Sequence, residues 1–278
     1  DFGGANVVKN IIDSGLRLDD PKRTFFTFDC NPTGSDQKYA ANQQYCRIFA
    51  QENSVKVFDI NSGIGTHISI DNGLAYPGCT FVSTDSHANI LGAIGAFGQG
   101  MGDQDIAATF ANGKIWFKVP YSVKINIIGK RPNGITAKDI VLNLLSIFGA
   151  NDLLGYSVEI YGEEISKLSL DERITISSMA TEMGAIILFF EPSDEVINYC
   201  KERCKIDFEI IRADRDANYD KIYDIDISKF KKKISLPGHP HDTEDLDKLR
   251  GIRIDSAFIG SCTNGRMEDM RKAAQILK

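Results

Sequence analysis

Short β-branched and aromatic runs alternate with helix-length amphipathic segments along most of the chain, and this alternation constrains the fold more than any other feature. Strands separated by helices pair in parallel, because a parallel return crossing needs a dozen or more residues. Residues 24–28, 55–60, 80–84, 122–128, 157–161 and 186–190 read as strands. In 122–128, Val123, Ile125 and Ile127 share one face, as a half-buried strand requires. The stretch 186–190 is apolar throughout, the pattern of a strand covered on both faces. Helices are expected over 37–51, from a Thr136 cap to about Phe148, over the glycine-rich stretch that follows Thr84, and from 268 to 278. Another opens on the Ser169–Glu172 capping box and closes at Gly184. The fold class expected is α/β, three-layer α/β/α with mostly parallel sheets in two pseudo-lobes. Residues 1–204 form the core, which can divide again near 120–130. Residues 205–250 read as a polar peripheral strand and long loop, and 251–278 as the start of a further α/β segment.

Composition narrows the function classes. A chain of 278 residues can bury a sizeable core. Its net charge of −6 argues against nucleic acid as a partner, since phosphate backbones call for a basic face. The one short basic run, 231–233, reads as a solvated face. No apolar run approaches membrane length, and no secretory signal heads the chain. The cysteines at 30, 46, 79, 200, 204 and 262 form neither a CxxC pair nor a disulfide framework, which suits a reducing, cytoplasmic setting. Cys200 and Cys204 read as packing residues on one helix. The abrupt ends, one without Met and one inside an amphipathic helix, lead us to read a piece of a longer protein.

Several polar groups fall at the carboxyl ends of predicted strands, where open α/β sheets place ligands. Asp85, Ser86 and His87 follow strand 80–84 and precede five closely spaced glycines. Asp85 and Ser86 can cap a helix whose first turn offers free N–H donors, and the glycines permit close approach of another group. Cys262 follows the run 255–259, read as a strand, in Gly-Ser-Cys-Thr-Asn-Gly-Arg. At a strand-to-helix turn its thiolate would be favoured as nucleophile or metal ligand. Asn264 adds hydrogen bonds there, and Arg266 can clamp a carboxylate. His67 lies in a glycine loop after strand 55–60, Asp29 and Cys30 end strand 24–28, and Glu182 lies near the end of helix 169–184. Singly, each has an ordinary structural explanation; together they repeat one placement.

In this order, "TDSH" with its glycine-rich continuation, "GIGTH", "MATEMGA", "LPGHPHD" and "IGSCTNGRMEDMRKAA" resemble the aconitase superfamily, in its isopropylmalate isomerase and homoaconitase branch. The resemblance runs through essentially the whole chain. It implies the large, catalytic subunit of a hydro-lyase that moves a hydroxyl between adjacent carbons by dehydration and rehydration. The substrate it points to is 2-isopropylmalate, converted to 3-isopropylmalate in leucine biosynthesis, with homocitrate or a dimethylmalate as alternatives. A small subunit is implied as partner, in a heterodimer or heterotetramer. The cofactor implied is a [4Fe–4S] cluster whose open iron is a Lewis acid. Cys262 corresponds to its first ligand, and two further cysteines are expected beyond residue 278. Asp29, His67, Asp85, His87 and Glu182 correspond to catalytic positions; Ser86, Asn264 and Arg266 correspond to the substrate's surroundings. The sequence departs from the family where Cys30 stands in place of a histidine and Ser178 in place of an asparagine. One thiolate cannot hold the cluster, so this length of chain alone is expected to be cluster-free and inactive. A cluster-free regulatory or RNA-binding relative is the competing class, and the acidic charge opposes it. A cysteine-nucleophile hydrolase using Cys262 with His87 is the third.

Overall fold

The computed structural model describes residues 2–33 and 35–278. The chain is α/β, with mostly parallel sheets, and divides into two compact units. One unit takes the chain as far as Leu74, with Val82–Ala88 and Gln99–Val119; the other takes Ala75–Phe81, Asn89–Gly98 and Pro120–Lys278.

The first unit begins with α1 (Phe2–Asp13), β1 (Phe25–Thr27), α2 (Gln37–Asn53), β2 (Lys56–Phe58) and α3 (Gly65–Asp71). β1 and β2 pair in parallel, with Phe26 opposite Val57. Val7, Val8 and Ile11 of α1 pack with Phe26, Phe28, Cys46 and Phe49 to form the core. Burial pushes the Cys46 thiol up to about 11, as for an inert packing group. The Asp36 carboxylate caps α2 by accepting the Lys38 and Tyr39 N–H groups. β3 (Thr80–Ser83) and β4 (Phe97–Gly100), each with residues in both units, pair with each other. α4 (Asp103–Asn112) then carries Asp103 and Asp105 in its first turn, where the helix dipole favours carboxylates.

The second unit is built on β5 (Ser122–Ile128), α5 (Ala137–Phe148), β6 (Ser157–Tyr161), α6 (Glu163–Ser166), α7 (Leu170–Ser178), β7 (Ile187–Phe190), α8 (Asp194–Arg203) and β8 (Lys221–Asp226). Its sheet runs β7–β6–β5–β8, parallel throughout. Val123, Ile125 and Ile127 join Val158, Ile160, Ile140, Leu144, Leu145 and Ile176 in one core. The expected Ser169–Glu172 capping box forms, and the expected Thr136 cap proves to be a capping box as well, with Asp139. Arg173 on α7 is fully buried. Its guanidinium donates to the carbonyls of Ser166 at 3.2 Å, Leu168 at 3.0 Å and Glu191 at 2.7 Å, stapling the chain before α7 to the residue after β7. The hairpin β9 (Lys233–Ser235) and β10 (Thr243–Asp245) is antiparallel, and α9 (Met267–Leu277) is the last element among the described residues.

The structure corrects several sequence expectations. The glycine-rich stretch is no α-helix: Ala88–Ile94 is 3₁₀ and β4 follows. The reason is backbone contact. A Cβ on Gly92 would overlap the Leu188 carbonyl, and Gly95, at φ +71°, turns the chain against Pro192. These glycines admit protein backbone and Pro192, which is the ordinary packing reason. The helix expected over 169–184 stops at Ser178, and Gly184 closes a separate 3₁₀ turn, Thr181–Met183. His67 lies on α3 rather than in a loop. Cys204 caps α8 instead of sharing its face. Residues 255–259 form no strand; Ile254 and Phe258 are exposed, and no described strand pairs with that run. Residues 205–250, by contrast, agree with the expectation of a peripheral strand and loops, because β8 pairs with β5 at the edge of the main sheet.

Candidate functional site

The first unit gathers Asp29, Cys30, His67, Asp85, Ser86 and His87. α3 begins at Ile64, which has no capping side chain of its own. The Asp29 Oδ2 fills that role from 36 residues away, accepting the Gly65 N–H at 2.7 Å. Asp29 therefore orients the helix that carries His67. A Cβ at Gly65 would collide with the Thr27 side chain, so this approach requires glycine. The Cys30 Sγ donates to Asp29 Oδ1 at 3.6 Å. Desolvation, and next the Asp29 carboxylate, push the Cys30 thiol up, with Asp85 adding in the same direction. Cys30 thus stays neutral at pH 7 and does not supply the cationic acid that an imidazole could become.

Asp85 to His87 form a tight polar turn. Asp85 Oδ1 accepts the His87 N–H at 2.9 Å, and the Ser86 hydroxyl lies 3.1 Å from His87 Nδ1. The Asp85 N–H donates to Ser83 Oγ at 3.1 Å, fixing the turn to the end of β3. His87 Nδ1 lies 3.9 Å from Asp85 Oδ1, so the ring is held against the same turn. A Cβ at Gly100 would strike the Asp85 carbonyl and the Ser86 Cα, so the end of β4 supports the turn from behind.

The second unit holds Glu182, Cys262, Asn264 and Arg266. Glu182 sits on the 3₁₀ turn between Ala180 and Met183, both fully buried, and so is presented by a rigid segment. Cys262 lies in an irregular loop before α9, half-buried and flanked along the chain by Ser261, Thr263 and Asn264. The loop is tied to α7. Asn264 Nδ2 donates to Thr175 Oγ1 at 3.2 Å and to Asp269 Oδ1 at 2.7 Å, and Arg266 Nε donates to Asp171 Oδ1 at 2.6 Å. Ser169 Oγ donates to Glu268 Oε2 at 2.7 Å, and Lys272 joins Glu268. Arg266, read from sequence as a clamp for a substrate carboxylate, here clamps the carboxylate of Asp171.

A [4Fe–4S] cluster requires three thiolates. Among the described residues, no group of three or more His, Cys, Asp or Glu side chains is placed to hold a metal ion. Cys79, Cys200 and Cys204 influence one another, but burial pushes all three thiols up, Cys200 to about 12, which disfavours the thiolate form. The residues present do not by themselves fit the cluster.

Two buried polar groups escaped the sequence reading. Thr66, on α3 beside His67, is 2% exposed, and its hydroxyl has no hydrogen-bond partner among the described residues. Asn89 is 3% exposed and donates from Nδ2 to Thr181 Oγ1 at 2.7 Å. Its signal was a polar residue between Ala88, Ile90 and Leu91, where an amide needs a reason to be.

The sequence profile of the Aconitase family (aconitate hydratase) matches residues 30–250 and 241–278. A 3-isopropylmalate dehydratase large subunit from Helicobacter hepaticus is 39% identical over 87% of this chain and 58% of its own length. Large subunit 1 of the same name from Methanopyrus kandleri is 34% identical over 100% of this chain and 67% of its own. The Pyrococcus furiosus large subunit 1 is 36% identical over 93% of this chain and 62% of its own. The chain therefore spans about three-fifths to two-thirds of the length of these curated relatives.

Proposed function

The chain belongs to the aconitase family, and on that premise we propose that it forms most of the large subunit of a hydro-lyase. The reaction is the interconversion of 2-isopropylmalate and 3-isopropylmalate by loss and return of water, a step of leucine biosynthesis. The observation that carries this reading is the similarity over 100% of the chain to a relative bearing the dehydratase large-subunit name. That name supports a small subunit as partner. The reading assigns the enzyme to the cytoplasm, and no helix among the described residues is long and apolar enough to cross a membrane.

Dehydration of a hydroxy acid needs a proton for the departing hydroxyl and a base for the adjacent carbon. His87 is the candidate acid. Its Nδ1 lies 3.1 Å from the Ser86 hydroxyl and 3.9 Å from Asp85 Oδ1, which orients the ring at the end of β3. His67, on the helix oriented by Asp29, and Glu182, on its rigid turn, are the further acid–base groups. Asn264 and Arg266 act first by fixing the Cys262 loop on α7. The [4Fe–4S] cluster belongs to the intact protein in this reading, with Cys262 as one ligand and the others supplied outside these residues. The present length of chain alone is then cluster-free. The Cys30 departure leaves a neutral thiol beside Asp29, so proton transfer falls to His67 and His87.

Turnover of the full-length protein assembled with its small subunit, compared on 2-isopropylmalate, homocitrate and 2,3-dimethylmalate, tests the assignment. We expect kcat/KM to be highest for 2-isopropylmalate. A preference for homocitrate or dimethylmalate transfers the assignment to that acid, and turnover of none of the three overturns the reading.

A further inference from the structure

The Asn89 amide is not used by the reaction groups described above, yet it is one of the few buried polar side chains with an unmatched atom. Its Nδ2 donates to Thr181 Oγ1 at 2.7 Å. Its Oδ1, in a side chain 3% exposed, has no hydrogen-bond partner among the described residues. Thr181 is the first residue of the turn that carries Glu182, and Met183 at the far end is fully buried. The backbone behind Asn89 is equally constrained. One 3₁₀ turn later, Gly92 lies against the Leu188 carbonyl of β7, to which Ser177 Oγ also donates at 2.8 Å. Ile90, Leu91 and Ile94 are buried around it. A side chain launched from so fixed a segment, bonded to one end of a short turn, restrains that turn.

We propose that Asn89 is a positioning residue for Glu182, holding its turn through Thr181 while its Oδ1 accepts a hydrogen bond from a buried water molecule. Buried carbonyl oxygens are nearly always matched, and a polar site of this kind is where an ordered water is retained. The proposal rests on the dehydratase reading for its kinetic consequence, but its structural consequence stands apart.

Two measurements separate these. In the first, backbone amide exchange across 180–184 is compared between the wild-type full-length protein and Asn89→Ala. The latch predicts at least tenfold faster exchange in that turn, with β5 and β6 unchanged; equal exchange overturns the proposal whatever the enzyme does. In the second, steady-state kinetics are measured on the assembled heteromer. Asn89→Ala and Thr181→Val are each expected to lower kcat about tenfold with KM within threefold. Thr181→Ser, which keeps the acceptor oxygen, retains wild-type kcat. The double variant is expected to lose no more than either single variant. Additive losses, or a change confined to KM, would overturn the positioning role. Absence of turnover in the wild-type heteromer would count against the dehydratase reading alone, with amide exchange still deciding on Asn89.

Discussion

Gly92 shows how much one residue decides. A methyl group there has no room, because the obstacle is the Leu188 backbone rather than a side chain that can turn aside. Overpacking of this kind costs about 1–3 kcal/mol and sometimes more. Gly92→Ala is therefore expected to lower the unfolding free energy of the second unit by that amount, read as a lower urea midpoint, without changing Cys262 accessibility to thiol reagents; an unchanged midpoint would show that β7 yields. In the first unit, Arg47 donates to both carboxylate oxygens of Asp59, at 2.9 and 2.6 Å. This hydrogen bonding holds the Asp59 carboxyl below its ordinary value. A depressed carboxylate stabilises the fold fully above the unfolded value, near 3.9, and the gain is lost as pH falls through the lower folded value. Both side chains are partly exposed, so the gain is at most about 1 kcal/mol. Asp59→Asn should thus lower stability at pH 7 by that much and match wild type at the acid end of the folded range, as followed by urea titration.

At the scale of elements, the capping boxes carry the clearest expectation. Thr136→Ala removes a hydroxyl that accepts the Asp139 N–H, and should destabilise the second unit by about 1 kcal/mol, read from denaturant midpoints. Thr136→Ser should cost much less. Elements with local signals were legible in the sequence. α5 starts at its cap and ends at Phe148, and the alternation in β5 and the branched run in β6 give their observed bounds. Elements decided at long range were not. Whether 88–100 becomes α-helix or 3₁₀ and strand depends on Leu188, nearly a hundred residues on. A strand at 255–259 needs a neighbour to pair with, and local pattern cannot provide one. The site divides the same way. The Asp85–His87 turn is local and was legible, whereas the capping of α3 by Asp29 and the engagement of Arg266 by Asp171 depend on tertiary contacts that spacing does not encode.

For the whole molecule, each unit has its own core and its own share of the candidate residues. The chain belongs to the aconitase family and covers only part of its relatives' length, so the proposed function is to be tested on the full-length protein with the proposed small subunit. The most direct test of the central claim is the rate at which the full-length protein with its small subunit forms the unsaturated acid from 2-isopropylmalate, for wild type and His87→Gln. The account predicts that wild type releases the unsaturated acid and that His87→Gln slows its formation by about 10²–10⁴-fold with unaltered thermal melting. Formation of no unsaturated acid by the wild-type assembly, or an undiminished rate in His87→Gln, would contradict it.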